Sequence, residues 1–179
     1  MKIANQYFPS FHTSKNDVVY FRRLNEFDVQ PLVDFYYRLS HETRYLRFQM
    51  ITENLPEKKI YEYAEQLCLL SNQGLAIVAY ILQNDGSEVF VGVARYILDT
   101  NSQEKAEFAI VLDDAYQGLG IGIYLLSKLF EEAKRYGLRV IYGTMLYSNT
   151  GMVQLIKKLC PENHHFHHLD GQMEVEIKL

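Results

Sequence analysis

The segment spanning residues 106–126, AEFAIVLDDAYQGLGIGIYLL, limits what this chain can fold into more than any other stretch does. Its first part is apolar and rich in β-branched and aromatic residues, which predicts a strand ending at Leu112. After Asp113-Asp114 come Gln117-Gly118-Leu119-Gly120-Ile121-Gly122, and the apolar residues Leu125, Leu126, Leu129, Phe130 and Ala133 then recur at helical spacing. A strand that runs through a glycine-rich turn into a helix makes a layered α/β unit, because strand and helix each have an apolar face to bury. The glycines lack the side chains that hold a ligand off the backbone, and they bare several N–H groups at the positive end of the helix. Such a turn holds a phosphate or pyrophosphate without Lys or Arg. Glycines at a strand-to-helix turn also serve tight packing, so that reading stands beside the first.

The rest of the chain supplies the other elements. Residues 18–24 read as a strand, and Asp28 as the N-cap of a helix carrying Val29, Leu32, Val33, Tyr36 and Leu39 at helical spacing. Pro56 opens a second helix with Ile60, Ala64, Leu67 and Cys68 on one face. Strands follow at 75–82, 88–98 and 105–112, the first two joined by the turn signal Asn84-Asp85-Gly86-Ser87. The helix after the glycines runs from about 120 to 136. Its outer face predicts the pairs Lys128–Glu132 and Glu131–Arg135, with Gly137 as C-cap. Residues 140–146 form a strand, 149–159 a helix, and 164–178 one or two further strands. Residues 1–17 form an N-terminal arm or an extra edge element. The order β-α-α-β-β-β-α-β-α-β(-β) predicts one α/β domain over residues 18–179, with a mixed, mostly antiparallel sheet flanked by helices.

Composition narrows the functional classes. A chain of 179 residues that is 48% hydrophobic can bury one real core. Its net charge of −4 gives no basic field for nucleic acid. No apolar run approaches the roughly 18 residues of a membrane span, and the N-terminus lacks a secretory pattern. Cys68 and Cys160, far apart, read as reduced, buried thiols, which with the above points to a cytoplasmic protein. His164, His165, His167 and His168 alternate between two strand faces without suitably spaced carboxylates, so no metal site is expected.

Three phosphate-binding turns compete for 117–122. A P-loop requires Lys-Ser/Thr after its glycines, which is absent. A dinucleotide fingerprint requires a third glycine where Ile123 or Leu125 stands. The Gln/Arg-x-x-Gly-x-Gly/Ala turn that grips the coenzyme A pyrophosphate is matched fully by Gln117, Gly120 and Gly122.

With that turn, the strand before it, the strand after its helix and Asn149 opening the next helix, the chain resembles the GNAT family of N-acetyltransferases over roughly residues 18–178. Within the family it is similar to the bacterial protein-lysine acetyltransferase (Pat-like) branch. Leu39-Ser40-His41-Glu42-Thr43-Arg44-Tyr45-Leu46-Arg47-Phe48 and Ala106-Glu107-Phe108-Ala109-Ile110-Val111 carry that likeness. The resemblance implies acetyl-CoA as co-substrate. Pantetheine would lie along the backbone from Ile110 to Leu112, and pyrophosphate on the amides of Gly118, Leu119, Gly120, Ile121, Gly122 and Ile123, with Gln117 and Asn149 beside them. It places the general base at Glu107. A lysine amine of pKa about 10.4 is neutral in only ~1 molecule in 2500 at pH 7, a deficit of roughly 4.6 kcal/mol, so a base has a clear task. Asp113 and Asp114 are weaker candidates, since carboxylates before a turn usually cap and solvate.

Three departures stand out. The family's tyrosine, seven residues after the asparagine, is Ile156, leaving the general acid unassigned with Tyr142 and Tyr147 nearby. The Gly-Phe after that helix is Cys160-Pro161, and the usual basic residues inside the turn are Gly118 and Leu119. The expected acceptor is a primary amine, with a protein lysine slightly preferred over a small molecule. A homodimer is compatible with all of this, and a non-catalytic acetyl-CoA sensor is the alternative.

Overall fold

The computed structural model describes residues 7–50, 55–70 and 73–179. The strands are β1 (Tyr7–His12), β2 (Val18–Arg23), β3 (Gly74–Leu82), β4 (Glu88–Leu98), β5 (Lys105–Leu112), β6 (Val140–Leu146), β7 (His164–Leu169) and β8 (Gln172–Lys178). The helices are α1 (Val29–Arg38), α2 (His41–Phe48), α3 (Glu57–Cys68), α4 (Ile121–Tyr136) and α5 (Thr150–Leu159). All strands join one sheet in the order β1-β2-β3-β4-β5-β6-β8-β7. Every neighbouring pair is antiparallel except β5 and β6, which are parallel. The predicted mixed, mostly antiparallel α/β sheet is therefore what forms. The described part of the N-terminal arm is its edge strand, and the tail supplies two strands, with β8 inserted between β6 and β7.

Alternation along β3 divides the core. Ile77 and Ala79 face α4 in one apolar cluster, while Val78 and Tyr80 face α1 and α3 in the other. On β5 the same alternation sends Ala106 and Phe108 toward α4, and Val111 toward the α1–α3 side. The residues predicted to bury on α4, Leu125, Leu126, Leu129, Phe130 and Ala133, are all in the core.

Charged residues depart from the local reading wherever a distant partner competes. Asp28 stands at the N-terminus of α1 without capping it. Its carboxylate instead receives both Nη atoms of the buried Arg22, at 2.7 and 2.8 Å, and the Asn25 N–H at 2.8 Å. On α4 the pairs are Lys128–Glu131 and Arg135–Glu132, one residue closer than predicted, because Glu132 also turns toward Arg23 of β2. Helix α2, which residue patterning did not predict, follows Ser40, whose hydroxyl caps it by accepting from Thr43 N–H at 3.1 Å. Cys68 and Cys160 are unbridged but half-buried rather than buried; desolvation pushes the Cys68 thiol up to about 11.

Candidate active site

The one parallel pairing opens the sheet. β5 and β6 are in register only at Lys105↔Val140, Ala106↔Ile141 and Glu107↔Tyr142. Beyond Glu107 each strand stays with its other neighbour, β5 with β4 as far as Leu112 and β6 with β8 as far as Leu146. At the fork the Phe108 ring, set edge-on to Phe130 at 5.2 Å between centroids, lies against the Gly143 backbone. A Cβ at Gly143 would come within 2.9 Å of it. The resulting cleft, about 260 Å³, is lined by Glu107, Ile110, Leu112, Gln117, Gly118 and Asn149 among others. Six of the eleven residues singled out from sequence thus share one cavity, and the other five, Leu119 to Ile123, continue the turn beside it.

The turn uses its glycines for different reasons. Gly118 and Gly120 have φ of +72° and +89°, the left-handed region that other residues enter at a cost. Gly122 is helical, and a Cβ there would sit 2.7 Å from Leu155 and 3.2 Å from Leu112, so its glycine lets α4 and α5 approach. The packing reading of the glycines therefore holds at Gly122, while Gly118 and Gly120 serve the shape of the turn. Leu119 packs on the core and Ile121 is fully buried. The first turn-closing bond of α4 runs from Tyr124 N–H to Gly120 O, at 3.2 Å. The amides of Ile121, Gly122 and Ile123 therefore lack intrahelical partners, and no side chain caps them. Ser40 and Asn149, by contrast, cap α2 and α5. A row of bare amides at the positive end of a 16-residue helix is suited to an anion.

Two predicted site side chains have structural duties. Gln117 Nε2 donates to Leu112 O at 3.3 Å and to Thr43 Oγ1 at 3.2 Å, tying the turn to the strand it left. Asn149 Oδ1 accepts from Met152 N–H at 3.1 Å, so the asparagine that faces the cleft also starts α5.

Sequence reasoning undervalued Asp114. Its carboxylate accepts Ser40 N–H at 2.9 Å, Ser40 Oγ–H at 2.7 Å and Thr43 Oγ1–H at 2.7 Å, which bolts the start of α2 to the turn after β5. Burial pushes its pKa up, but these donors outweigh burial and hold it below the usual carboxylate range. At the other end of α2, Gln49 Nε2 donates to Thr144 O of β6 at 3.1 Å. Helix α2 thus spans the fork, fastened to both diverging strands. Asp113 accepts from Ala115 N–H at 3.1 Å and lies 3.6 Å from Arg38 Nε, a local cap as expected.

On the opposite side of β5 lies a larger cavity, about 490 Å³, beneath α1, α2 and α3. Glu107 lines both cavities. Its partner is not Lys105, which reaches Glu176 at 3.3 Å, but Arg95 of β4, whose Nη2 is 3.5 Å from Glu107 Oε1. Arg47 of α2 lines both cavities too. Desolvation lowers its pKa to about 10, Arg95 pushes the same way, and Glu107 opposes.

Neither tyrosine near Asn149 in sequence is free to act as an acid. Tyr142 donates to Asp99 Oδ2 at 3.0 Å, and burial followed by that bond raises it to about 12. Tyr147 donates to Leu169 O at 3.2 Å and stacks on His168. Ile156 is wholly buried in the core. Among the described residues no group of three or more His, Cys, Asp or Glu is placed to hold a metal, and no helix is long and apolar enough to cross a membrane.

Known proteins are similar to this chain in sequence and in fold. Acetyltransferase PA5475 of Pseudomonas aeruginosa is 33% identical over 139 residues, covering 76% of this chain and 71% of that protein. Acetyltransferase Pat of Mycolicibacterium smegmatis is 24% identical over 165 residues, 89% of this chain. The match spans 47% of Pat, so the chain corresponds to about half of that relative's length. The GNAT domain of S. lividans PAT superposes with a TM-score of 0.82 at 21% identity, covering 100% of both chains. These likenesses agree with the Pat-like branch that the sequence resembles. The Acetyltransferase (GNAT) family matches residues 34–160, and the chain belongs to that family.

Proposed function

We propose that this protein transfers an acetyl group from acetyl-CoA to a primary amine by direct attack on the thioester. The observation that carries the reading is the position of Glu107, at the fork of β5 and β6 and on the wall of both cavities. The cleft beside the bare amides of α4 suits a pantetheine arm and its pyrophosphate, and the cavity beneath α1–α3 suits the acceptor. The thioester supplies an activated acyl carbon. The acceptor ammonium gives one proton to Glu107, directly or through water. The neutral amine then forms the C–N bond as the C–S bond breaks. The thiolate takes the amine's second proton and leaves as a thiol, and Glu107 releases its own proton to solvent. This balance needs no tyrosine acid, which agrees with the buried Ile156 and the engaged Tyr142 and Tyr147.

The sequence resemblance favours a protein lysine as acceptor, and the size and apolar lining of the α1–α3 cavity favour a small amine at least as well. The second reading, a sensor that binds acetyl-CoA without turnover, draws on the isoleucine that stands at the family's tyrosine position, Ile156. Free-thiol release from acetyl-CoA with a panel of peptides, polyamines and amino acids separates them. We expect release with one class of amine. A rise in melting temperature with acetyl-CoA but no thiol from any amine would favour the sensor. A rise with ATP or NAD but not with coenzyme A would overturn both.

A further inference from the structure

The α1–α3 cavity is apolar over most of its wall, with Leu32, Phe35, Tyr36, Phe48, Ile60 and Val93 among its residues. Among the described residues its charged groups are three: Arg47, Arg95 and Glu107. Two guanidiniums against one carboxylate leave an excess positive charge on a mostly apolar wall, an arrangement that an anion would complete. Arg95 shows where the deficit lies. Its Nη2 is 3.5 Å from Glu107, while its Nη1 is buried with no hydrogen-bond partner among the described residues. A buried guanidinium N–H without an acceptor is rare and costly. Arg47 approaches from α2 over the Phe48 ring at 5.3 Å, and among the described residues the charges it senses are those of Arg95 and Glu107.

We propose that the acceptor brings the missing anion: it is an α-amino acid with an apolar or aromatic side chain, its carboxylate on Arg95 and Arg47, its amine on Glu107. This rests on the N-acetyltransferase reading and goes further by naming the acceptor class. The three groups of an α-amino acid radiate from one carbon, and the cavity offers three matching surfaces within one site. Arg95 and Glu107 are close enough that adjacent carboxylate and amine meet them together. The side chain then enters the apolar space under α1 and α3. Planar guanidinium donors suit a carboxylate in a forked geometry.

The test compares phenylalanine with phenylalaninamide and 2-phenylethylamine, and leucine with its amide and decarboxylated amine. Each set shares the amine and the apolar body and differs in the carboxylate. Thiol release from acetyl-CoA is measured alongside binding of each compound to the coenzyme A-loaded protein. We expect the free amino acids to exceed their partners at least about tenfold in kcat/KM, the loss expected when a buried polar group is left unpaired. Arg95→Gln should abolish that ratio while the melting-temperature rise with acetyl-CoA persists. Arg47→Gln, on a half-buried helix position, should lower the same ratio if the strand substitution fails to fold. Equal rates across each set, or an unchanged ratio in both variants, would overturn the proposal and leave the enzyme reading standing. Carboxylate-dependent binding without thiol release would make the amino acid a ligand rather than an acceptor, and would overturn the proposal and the enzyme reading together. Acceleration confined to succinyl-CoA as donor would place the carboxylate on the acyl group and also overturn the proposal.

Discussion

The two sides of β5 carry the two halves of the proposed site, and they are built from different material. Toward α4 the cleft is made of backbone: left-handed glycines at 118 and 120, a close helix approach at Gly122, and a helix start with no side-chain cap. Toward α1–α3 it is made of side chains from three separate elements, Arg47 from α2, Arg95 from β4 and Glu107 from β5. A backbone half can hold a ligand common to many proteins, because amides carry no sequence identity. A side-chain half is free to specify what reacts. Helix α2 links the halves, fastened to Asp114 beside the turn and to Thr144 across the fork.

That contrast makes predictions that would break it or refine it. The largest effect belongs to the side-chain half. Glu107→Gln should lower turnover at least about tenfold, within the range for losing a general base. Steady-state thiol release reads this, and a near-normal rate would remove Glu107 from the chemistry. Next comes the packing glycine. Gly122→Val drives its Cβ toward Leu155 and Leu112 and should destabilise the fold by about 1–3 kcal/mol in a urea melt. An unchanged midpoint would mean that α4 and α5 can part without cost.

Asp114→Asn tests the link. It should weaken acetyl-CoA binding and turnover together by a few fold, and cost about 1 kcal/mol of stability, since the site is exposed. The sign with pH is fixed by the depressed pKa. The stabilisation is fully present above the ordinary carboxylate value near 3.9 and is lost as pH falls through the lower folded value. Wild type and variant should therefore differ at neutral pH and converge in acid. A constant gap across the acid range would show that the carboxylate's charge is not what holds α2. The smallest effect is Asn149→Ala, which removes the α5 cap and should lower stability by about 1 kcal/mol with turnover little changed. A large loss of acetyl-CoA affinity would assign Asn149 a ligand as well as a cap.

The difference between the halves also explains what the sequence could disclose. The turn at Gly118 and Gly120 was legible because its signal is local, a positive φ between a strand and a helix, whereas the bond from Gln117 to Leu112 was not foreseen. Strand limits such as 88–98, 105–112 and 140–146 were legible for the same reason, as alternation and turns are short-range signals. Arg95 facing Glu107 depends on the antiparallel register of β4 and β5, which no local pattern states. Asp114 holds residues 71 and 74 positions away in the chain, and reads locally as one more turn carboxylate. Asp28 and Glu132 misled in the same manner: each suits a helix cap or helix pair, and each was claimed by an arginine on β2. Ser40 was the overlooked signal for α2, a cap residue standing directly before a helical run.

The division of labour across β5 is tested most directly by calorimetric titration of acetyl-CoA into wild type, Glu107→Gln and Gly120→Ala. The account predicts an unchanged Kd for Glu107→Gln. It predicts a Kd weakened roughly tenfold, about 1.4 kcal/mol, for Gly120→Ala, whose φ of +89° a side chain resists. A Gly120→Ala protein that binds as wild type does, or a Glu107→Gln protein that loses the ligand, would contradict it.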